Sequence, residues 1–92
     1  FLDSLAKKAL EPFPFSLPFS IPLSLLRSLP RPVERRCCRI ILKGFLDRRA
    51  AVEKQVEAFM GLVEKGSGQI NLASSLNLCA QKGKAIINLC NN

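Results

Sequence analysis

Hydrophobic and polar positions divide the chain into three zones, and the first is short and amphipathic. Residues 1–11 (FLDSLAKKALE) place their leucines and alanines at helical spacing, with Lys7 and Lys8 away from them. This pattern predicts a helix. Because so short a helix is marginal in water by itself, we expect it to form against a surface.

The second zone, residues 12–32, holds all six prolines and repeats the tetrapeptides PFSL, PFSI and PLSL. Proline lacks an amide donor and biases the preceding residue towards extended conformations, so this zone is predicted to be an extended or turn-rich arm. No charge lies between Glu11 and Arg27. The apolar arm is too short and too proline-rich to span a bilayer. Either it packs over the helical part as an additional core layer, or it lies in a lipid interface.

The third zone, residues 33–92, shows helical periodicity from Cys38 to Val63. The Gly66-Ser67-Gly68 segment ends that pattern, and a second apolar stripe follows in residues 69–90. The prediction is an all-α fold: an arm at 1–32, then a disulfide-linked helical hairpin at 33–92 whose first helix breaks at Gly44. The helices are expected near residues 33–43, 46–65 and 69–90.

The four cysteines favour disulfides. In a short chain an even number of cysteines is typical of an oxidising compartment, and a start at Phe1 rather than Met is typical of a processed, secreted form. Zinc is disfavoured because the chain has no histidine and lacks the usual ligand spacing. The predicted disulfide cysteines are Cys37, Cys38, Cys79 and Cys90.

Two intrachain pairings remain open, 37–79 with 38–90 and 37–90 with 38–79. Straight helices would leave Cys79 too far from Cys38 for a bridge. Either the first helix therefore breaks at Gly44, which we favour, or one bridge joins two chains as a homodimer.

Charge adds a surface property to this scaffold. The chain has 14 Lys+Arg against 7 Asp+Glu, a formal net charge of +7 and a pI near 9.8. Such a charge favours anionic partners. Eight of the basic residues lie in the segment from Arg27 to Arg49. Among them, Arg35, Arg39 and Lys43 form a ridge at four-residue spacing directly after the arm. A solvated helix face is the simpler interpretation of this ridge.

The adjacency of apolar arm and basic ridge is typical of peripheral membrane peptides, in which apolar residues enter the interface and Arg and Lys lie at headgroup level. We therefore predict a lipid-contact site made by both. Its predicted residues are Phe13, Phe15, Phe19, Ile21 and Leu25 for insertion, and Arg35, Arg36, Arg39, Lys43, Arg48 and Arg49 for anionic headgroups.

Two other functional classes find little support. Nucleic-acid binding is disfavoured because the chain has no Trp or Tyr for base stacking. An enzyme is not expected, because without histidine neither the serines nor the cysteines have a conventional base. No catalytic residue, cofactor or metal site is predicted.

The order of an apolar proline-rich start and a basic amphipathic helix (PFSIPLSLLRSLPRPVERRCCRIILKGFLDRR) resembles the layout of saposin-like lipid-film proteins. That family has six cysteines, whereas this chain has four with an adjacent pair, so its disulfide framework differs. Cysteines that bracket a helical unit, ending in Leu89-Cys90-Asn91, are also similar to those of secretoglobins, which implies a helical dimer around an apolar cavity.

The leading hypothesis is a secreted, cationic, non-catalytic protein that binds lipid or membrane surfaces, of the surface-active or antimicrobial host-defence type. The alternative is a secreted helical carrier of an apolar ligand or a disulfide-linked dimeric partner-binding module. A third class is an extracellular signal or toxin.

Overall fold

The protein combines helices with an antiparallel sheet. The computed structural model describes residues 2–46, 49–73 and 76–89. The elements within these ranges are, in chain order, α1 (Leu2–Leu10), β1 (Phe19–Pro22), α2 (Leu23–Ser28), α3 (Arg31–Phe45), α4 (Arg49–Lys65), β2 (Gly68–Ala73), β3 (Leu76–Gln81) and β4 (Lys84–Leu89). The strands form one sheet of order β1-β4-β3-β2, in which all neighbours are antiparallel. The all-α prediction is wrong.

The error lies in residues 69–90, which form three strands instead of a helix. Side chains there alternate between the core and the outer face of the sheet, which is the period of a half-buried strand. The apolar residues that suggested a helix are spaced alternately four and three positions apart. In the sheet, some of them face the core and others face the outside. The buried side chains of these strands are those of Leu72, Leu78, Ala80, Ala85 and Ile87.

A two-residue turn joins β3 to β4 and explains Gly83. Lys82 and Gly83 both have positive φ, 51° and 76°, as the two central residues of a type I′ hairpin turn require. Gly83 is therefore a hairpin residue, within a segment that was predicted to be helical.

Repeated Ile/Leu-Asn-Leu triplets occupy the same level of the three adjacent strands. Asn77 of β3 pairs with Asn71 of β2 on one side and with Asn88 of β4 on the other. In each triplet the asparagine thus faces the opposite side of the sheet from its neighbours, and the three amides form one row on the outer face.

The proline-rich arm supplies the edge strand β1, whose register with β4 runs from Phe19↔Ile87 to Pro22↔Lys84. Proline is tolerated there because an edge strand leaves some amide positions unpaired. Residue Ile21 is fully buried and Phe19 is 2% exposed. The arm therefore contributes to the hydrophobic core, which was one of the two alternatives left open.

The helices before the sheet lie close to the predicted positions. α3 begins beside Pro30, with proline at its first turn, and extends through Gly44 to Phe45, so the break between α3 and α4 lies after Phe45 instead of at Gly44. α4 ends where Gly66 adopts a φ of +83° and donates its N–H to the carbonyl of Leu62 at 2.7 Å, a left-handed helix terminus that suits glycine.

The helices lie in successive layers, and the last of these layers rests on the sheet. α1 contacts α3, α3 contacts α4, and α4 and α2 contact the sheet. The core that fills these layers includes Val56, Phe59 and Val63 of α4 together with Ile41 of α3. At the end of α3, Phe45 meets Phe15 and Phe19, with ring centroids 5.9 and 5.5 Å away.

The disulfide prediction is also wrong for the described cysteines. Cys37, Cys38 and Cys79 are free thiols; Cys90 lies outside the described residues. Cys37 and Cys38 are buried on α3, and the thiol of Cys37 lies 3.8 Å from the carbonyl of Ala6 on α1. Cys79 lies between two buried residues of β3 and so points to the outer face of the sheet. The paired-cysteine argument for an oxidising compartment therefore does not apply to these three residues.

The free cysteines should differ in reactivity. Burial, and secondarily the negative charge of Glu34, raise the pKa of Cys37 to about 11 and also raise the pKa of Cys38. Since the thiolate is the nucleophile, both should resist alkylation in the native protein, whereas the half-exposed Cys79 should react. In a Cys90→Ser variant, Ellman's reagent should titrate one thiol rapidly and all three after denaturation. Fewer than three in denaturant would contradict the absence of a bridge among them.

Candidate functional site

Among the described residues, three ion pairs join the basic side of α3 to the acidic side of α4. Arg35 pairs with Glu57, and Arg39 Nε lies 3.0 Å from Glu53 Oε1. The third pair, Arg31 with Glu64, is looser at 3.9 Å. The arginines recur every four residues along α3, and their partners descend α4 in the opposite direction, as two antiparallel helices require.

We call these ion pairs the ladder. They change the interpretation of the basic ridge that was predicted from the sequence. The guanidinium groups of Arg35 and Arg39 already face carboxylates, so neither is an open site for a lipid headgroup. Exposed pairs of this kind are worth only about 0.2–1 kcal/mol each. The alignment of Arg39 Nε with Glu53 falls short of a hydrogen bond, and the hydrogen bond to this carboxylate comes from a terminal Nη at 3.2 Å. The ladder thus sets the register of the two helices more than their stability.

Basic side chains also line a pocket between α1 and α3. Its volume is about 260 Å³. We call it the cationic pocket; it is lined by Lys7, Arg36, Arg39, Ile40 and Lys43. No carboxylate is among these residues. Although Arg39 is paired with Glu53, the lining of this concave site is therefore positive, which favours an anion.

The cationic pocket follows from the way α1 packs on α3. The small Ala6 is completely buried and Leu10 nearly so, which brings α1 close to α3 and leaves Lys7 at the edge of the contact. On α3, Arg36, Ile40 and Lys43 recur at positions i, i+4 and i+7, so they share one face. Within the described part of the chain, no ion pair engages Lys7 or Lys43.

Exposed apolar side chains lie on the arm, which touches the end of α3 through Phe15. Phe15 is 41% and Leu17 is 36% exposed, and we call these two residues the apolar rim. The ring of Phe15 lies on Gly44, the residue after Lys43: a Cβ added at Gly44 would lie 2.8 Å from Cε2 of Phe15 and closer still to Cδ2. Glycine at position 44 thus allows the ring to rest on the end of α3, beside the last lysine of the pocket.

The structure divides the predicted apolar contact residues into three groups. Phe15 is exposed, and Phe13 and Leu25 are half-buried against the core. Phe19 and Ile21 lie in the core. In this fold the last two cannot reach a lipid surface, because β1 buries both side chains in the hydrophobic core.

The predicted headgroup residues are divided as well. Arg36 and Lys43 line the cationic pocket, whereas Arg35 and Arg39 belong to the ladder, although Arg39 also borders the pocket. Arg48 lies outside the described residues. Of Arg49 only its place at the start of α4 is described.

Lys7 and Leu17 are the members of this site that sequence reasoning missed. Lys7 was placed on the polar side of a separate amphipathic helix, and nothing in its spacing shows that this helix packs along α3. Leu17 belongs to the apolar arm. Phe19 is buried and Leu17 is exposed because β1 pairs with β4, and the proline pattern gave no indication of this strand.

No family model matches the chain, and no curated protein matches it significantly.

Two features are absent from the described residues. No helix there has both the length and the apolar character needed to cross a bilayer. No group of three or more His, Cys, Asp or Glu side chains in that part of the chain is placed to hold a metal ion.

Proposed function

We propose that this protein binds anionic lipid surfaces through the cationic pocket and the apolar rim. The single observation that supports this most is the contact of Phe15 with Gly44, which places an exposed aromatic ring on the residue that follows Lys43, a lining residue of the pocket. A phosphate headgroup in the pocket and a ring in the interface can then be engaged at the same time.

The proposed face is smaller than the one predicted from the sequence. It keeps Phe15, Arg36 and Lys43, adds Lys7 and Leu17, and omits the buried part of the arm. A basic side chain near an anionic membrane contributes roughly 1 kcal/mol. Lys7 and Lys43, which take part in no ion pair of the described residues, therefore contribute roughly 2 kcal/mol together, or about thirtyfold in partitioning.

Co-sedimentation with vesicles tests the proposal. We expect the protein to pellet with vesicles of phosphatidylcholine mixed with phosphatidylglycerol, to remain in solution with phosphatidylcholine alone, and to be released as salt rises. Absence of binding to the anionic vesicles at low ionic strength would remove the proposal. Equal affinity for a short oligonucleotide in competition would assign the pocket to nucleic acid instead.

A further inference from the structure

A second pocket, separate from the cationic pocket, lies where α2, α3 and α4 meet. Its volume is about 330 Å³, which is large enough for a small ligand. Its lining differs from that of the cationic pocket because it presents charges of both signs. The lining residues are Arg27, Leu29, Arg31, Glu34 and Glu64.

Glu34 is the unusual member of this pocket. It is 8% exposed, in the first turn of α3, and is the one buried charged residue in the described part of the chain. No hydrogen bond or ion pair of the described residues engages its carboxylate. The side chain is largely buried and lines an open pocket, so a ligand in this pocket could supply the missing partner.

Guanidinium groups lie beside the carboxylates in this pocket. Arg27 donates its Nε–H to the carbonyl of Val63 at 2.8 Å, which fixes the guanidinium in place while no acceptor among the described residues engages its Nη groups. Arg31 is held only by the loose 3.9 Å pair with Glu64. A guanidinium group that is fixed in place, as that of Arg27 is, suits a carboxylate ligand.

We infer that this pocket binds a small zwitterion of the amino-acid class, with its ammonium group at Glu34 and Glu64 and its carboxylate at Arg27 and Arg31. A simple cation would meet the two arginines, and a simple anion would meet the two glutamates. Only a ligand with both charges can pair with the carboxylates and the guanidinium groups at the same time. The side chain of Leu29 provides an apolar contact for the carbon chain between the charges.

Three probes with the same four-carbon skeleton separate these cases: 4-aminobutyrate, butylamine and butyrate. In isothermal titration calorimetry at neutral pH and low salt, we expect 4-aminobutyrate to bind at least tenfold more tightly than either of the others. Loss of a charge-assisted hydrogen bond in Glu34→Gln should weaken its binding by roughly tenfold or more. The matched control Glu11→Gln removes an exposed carboxylate outside the pocket and should leave the affinity unchanged.

Two results would overturn the inference. One is comparable binding of butyrate or butylamine. The other is no binding of any probe to the wild-type chain. Glu34→Gln should leave vesicle partitioning unchanged, since Glu34 is not part of the cationic pocket, so failure here is distinct from failure of the lipid proposal.

The ionisation of Glu34 gives a second readout. Burial raises the pKa of this carboxyl above its ordinary value of 4.5; Arg31 on the same helix opposes the rise, and Glu64 of α4 adds to it, while Arg27 of α2 also faces the pocket. The folded chain therefore binds a proton more tightly than the unfolded chain. The contribution of Glu34 to the free energy of unfolding should fall as pH rises from 4.5 through the raised pKa.

Urea unfolding at a series of pH values measures this contribution, as the difference between the wild-type chain and Glu34→Gln. Saturating 4-aminobutyrate should reduce the fall in stability, because its ammonium group favours the ionised carboxylate. A difference between the two chains that does not vary across this range, or a fall that the ligand leaves unaltered, would contradict the assigned role of Glu34.

Discussion

Phe19→Ala should destabilise the protein by about 3–5 kcal/mol, the usual cost of removing a fully buried aromatic ring. The side chain of Phe19 is 2% exposed, its ring centroid lies 5.5 Å from that of Phe45, and its strand pairs with β4 at Ile87. Domains of this size have a free energy of unfolding of about 5–15 kcal/mol, so much of the stability should be lost. Urea unfolding followed by far-ultraviolet circular dichroism measures the change.

The matched control for this substitution is Phe15→Ala, four residues earlier in the same proline repeat. Since Phe15 is 41% exposed, its removal should cost only about 1 kcal/mol of stability while weakening vesicle binding. Equal losses of stability in the two variants would show that the arm is not packed as described, and lipid insertion of the entire arm would again be the better explanation.

Reversing two charges in the cationic pocket should nearly abolish binding to anionic vesicles. The double variant Lys7→Glu/Lys43→Glu removes two attractions and adds two repulsions. At roughly 1 kcal/mol per charge, it should weaken partitioning by about three orders of magnitude. Neither lysine takes part in an ion pair of the described residues, so the fold should be retained, as circular dichroism would verify.

A second double variant tests whether the position of the reversed charges matters, or only the net charge of the chain. Lys82→Glu/Lys84→Glu changes the net charge by the same amount, but at the exposed β3–β4 turn. It should retain most of the vesicle affinity. Equal losses in the two double variants would mean that net charge alone governs binding, and the cationic pocket would then have no specific role.

Some of the fold could be predicted from the pattern of the chain. Apolar periodicity located α3 and α4, and Gly66 marked the end of α4, because a terminal residue with positive φ favours glycine. The sheet was missed because Leu72, Leu76 and Cys79 are spaced as on a helix. Only the pairing of β3 with its neighbours shows that Cys79 faces the opposite side from Leu78.

The candidate site was only partly accessible to sequence reasoning, since its membership depends on contacts between distant segments. The ridge that includes Arg35 and Arg39 was evident, but its carboxylate partners are 22 and 14 residues away on α4. The position of Phe15 depends on its contact with Gly44. No local pattern distinguishes Phe15 from Phe19, because both follow proline in the same repeat.

The most direct test of the central claim is a tryptophan placed in the apolar rim. The chain has no tryptophan, so Phe15→Trp would report only on this position, and Leu89→Trp, at a residue 56% exposed on β4, is its control. With anionic vesicles that contain brominated acyl chains, Trp fluorescence should shift to the blue and be quenched in Phe15→Trp and remain unchanged in Leu89→Trp. Quenching of both alike, of the control alone, or of neither while the protein is bound would contradict a lipid-contact face formed by the apolar rim and the cationic pocket.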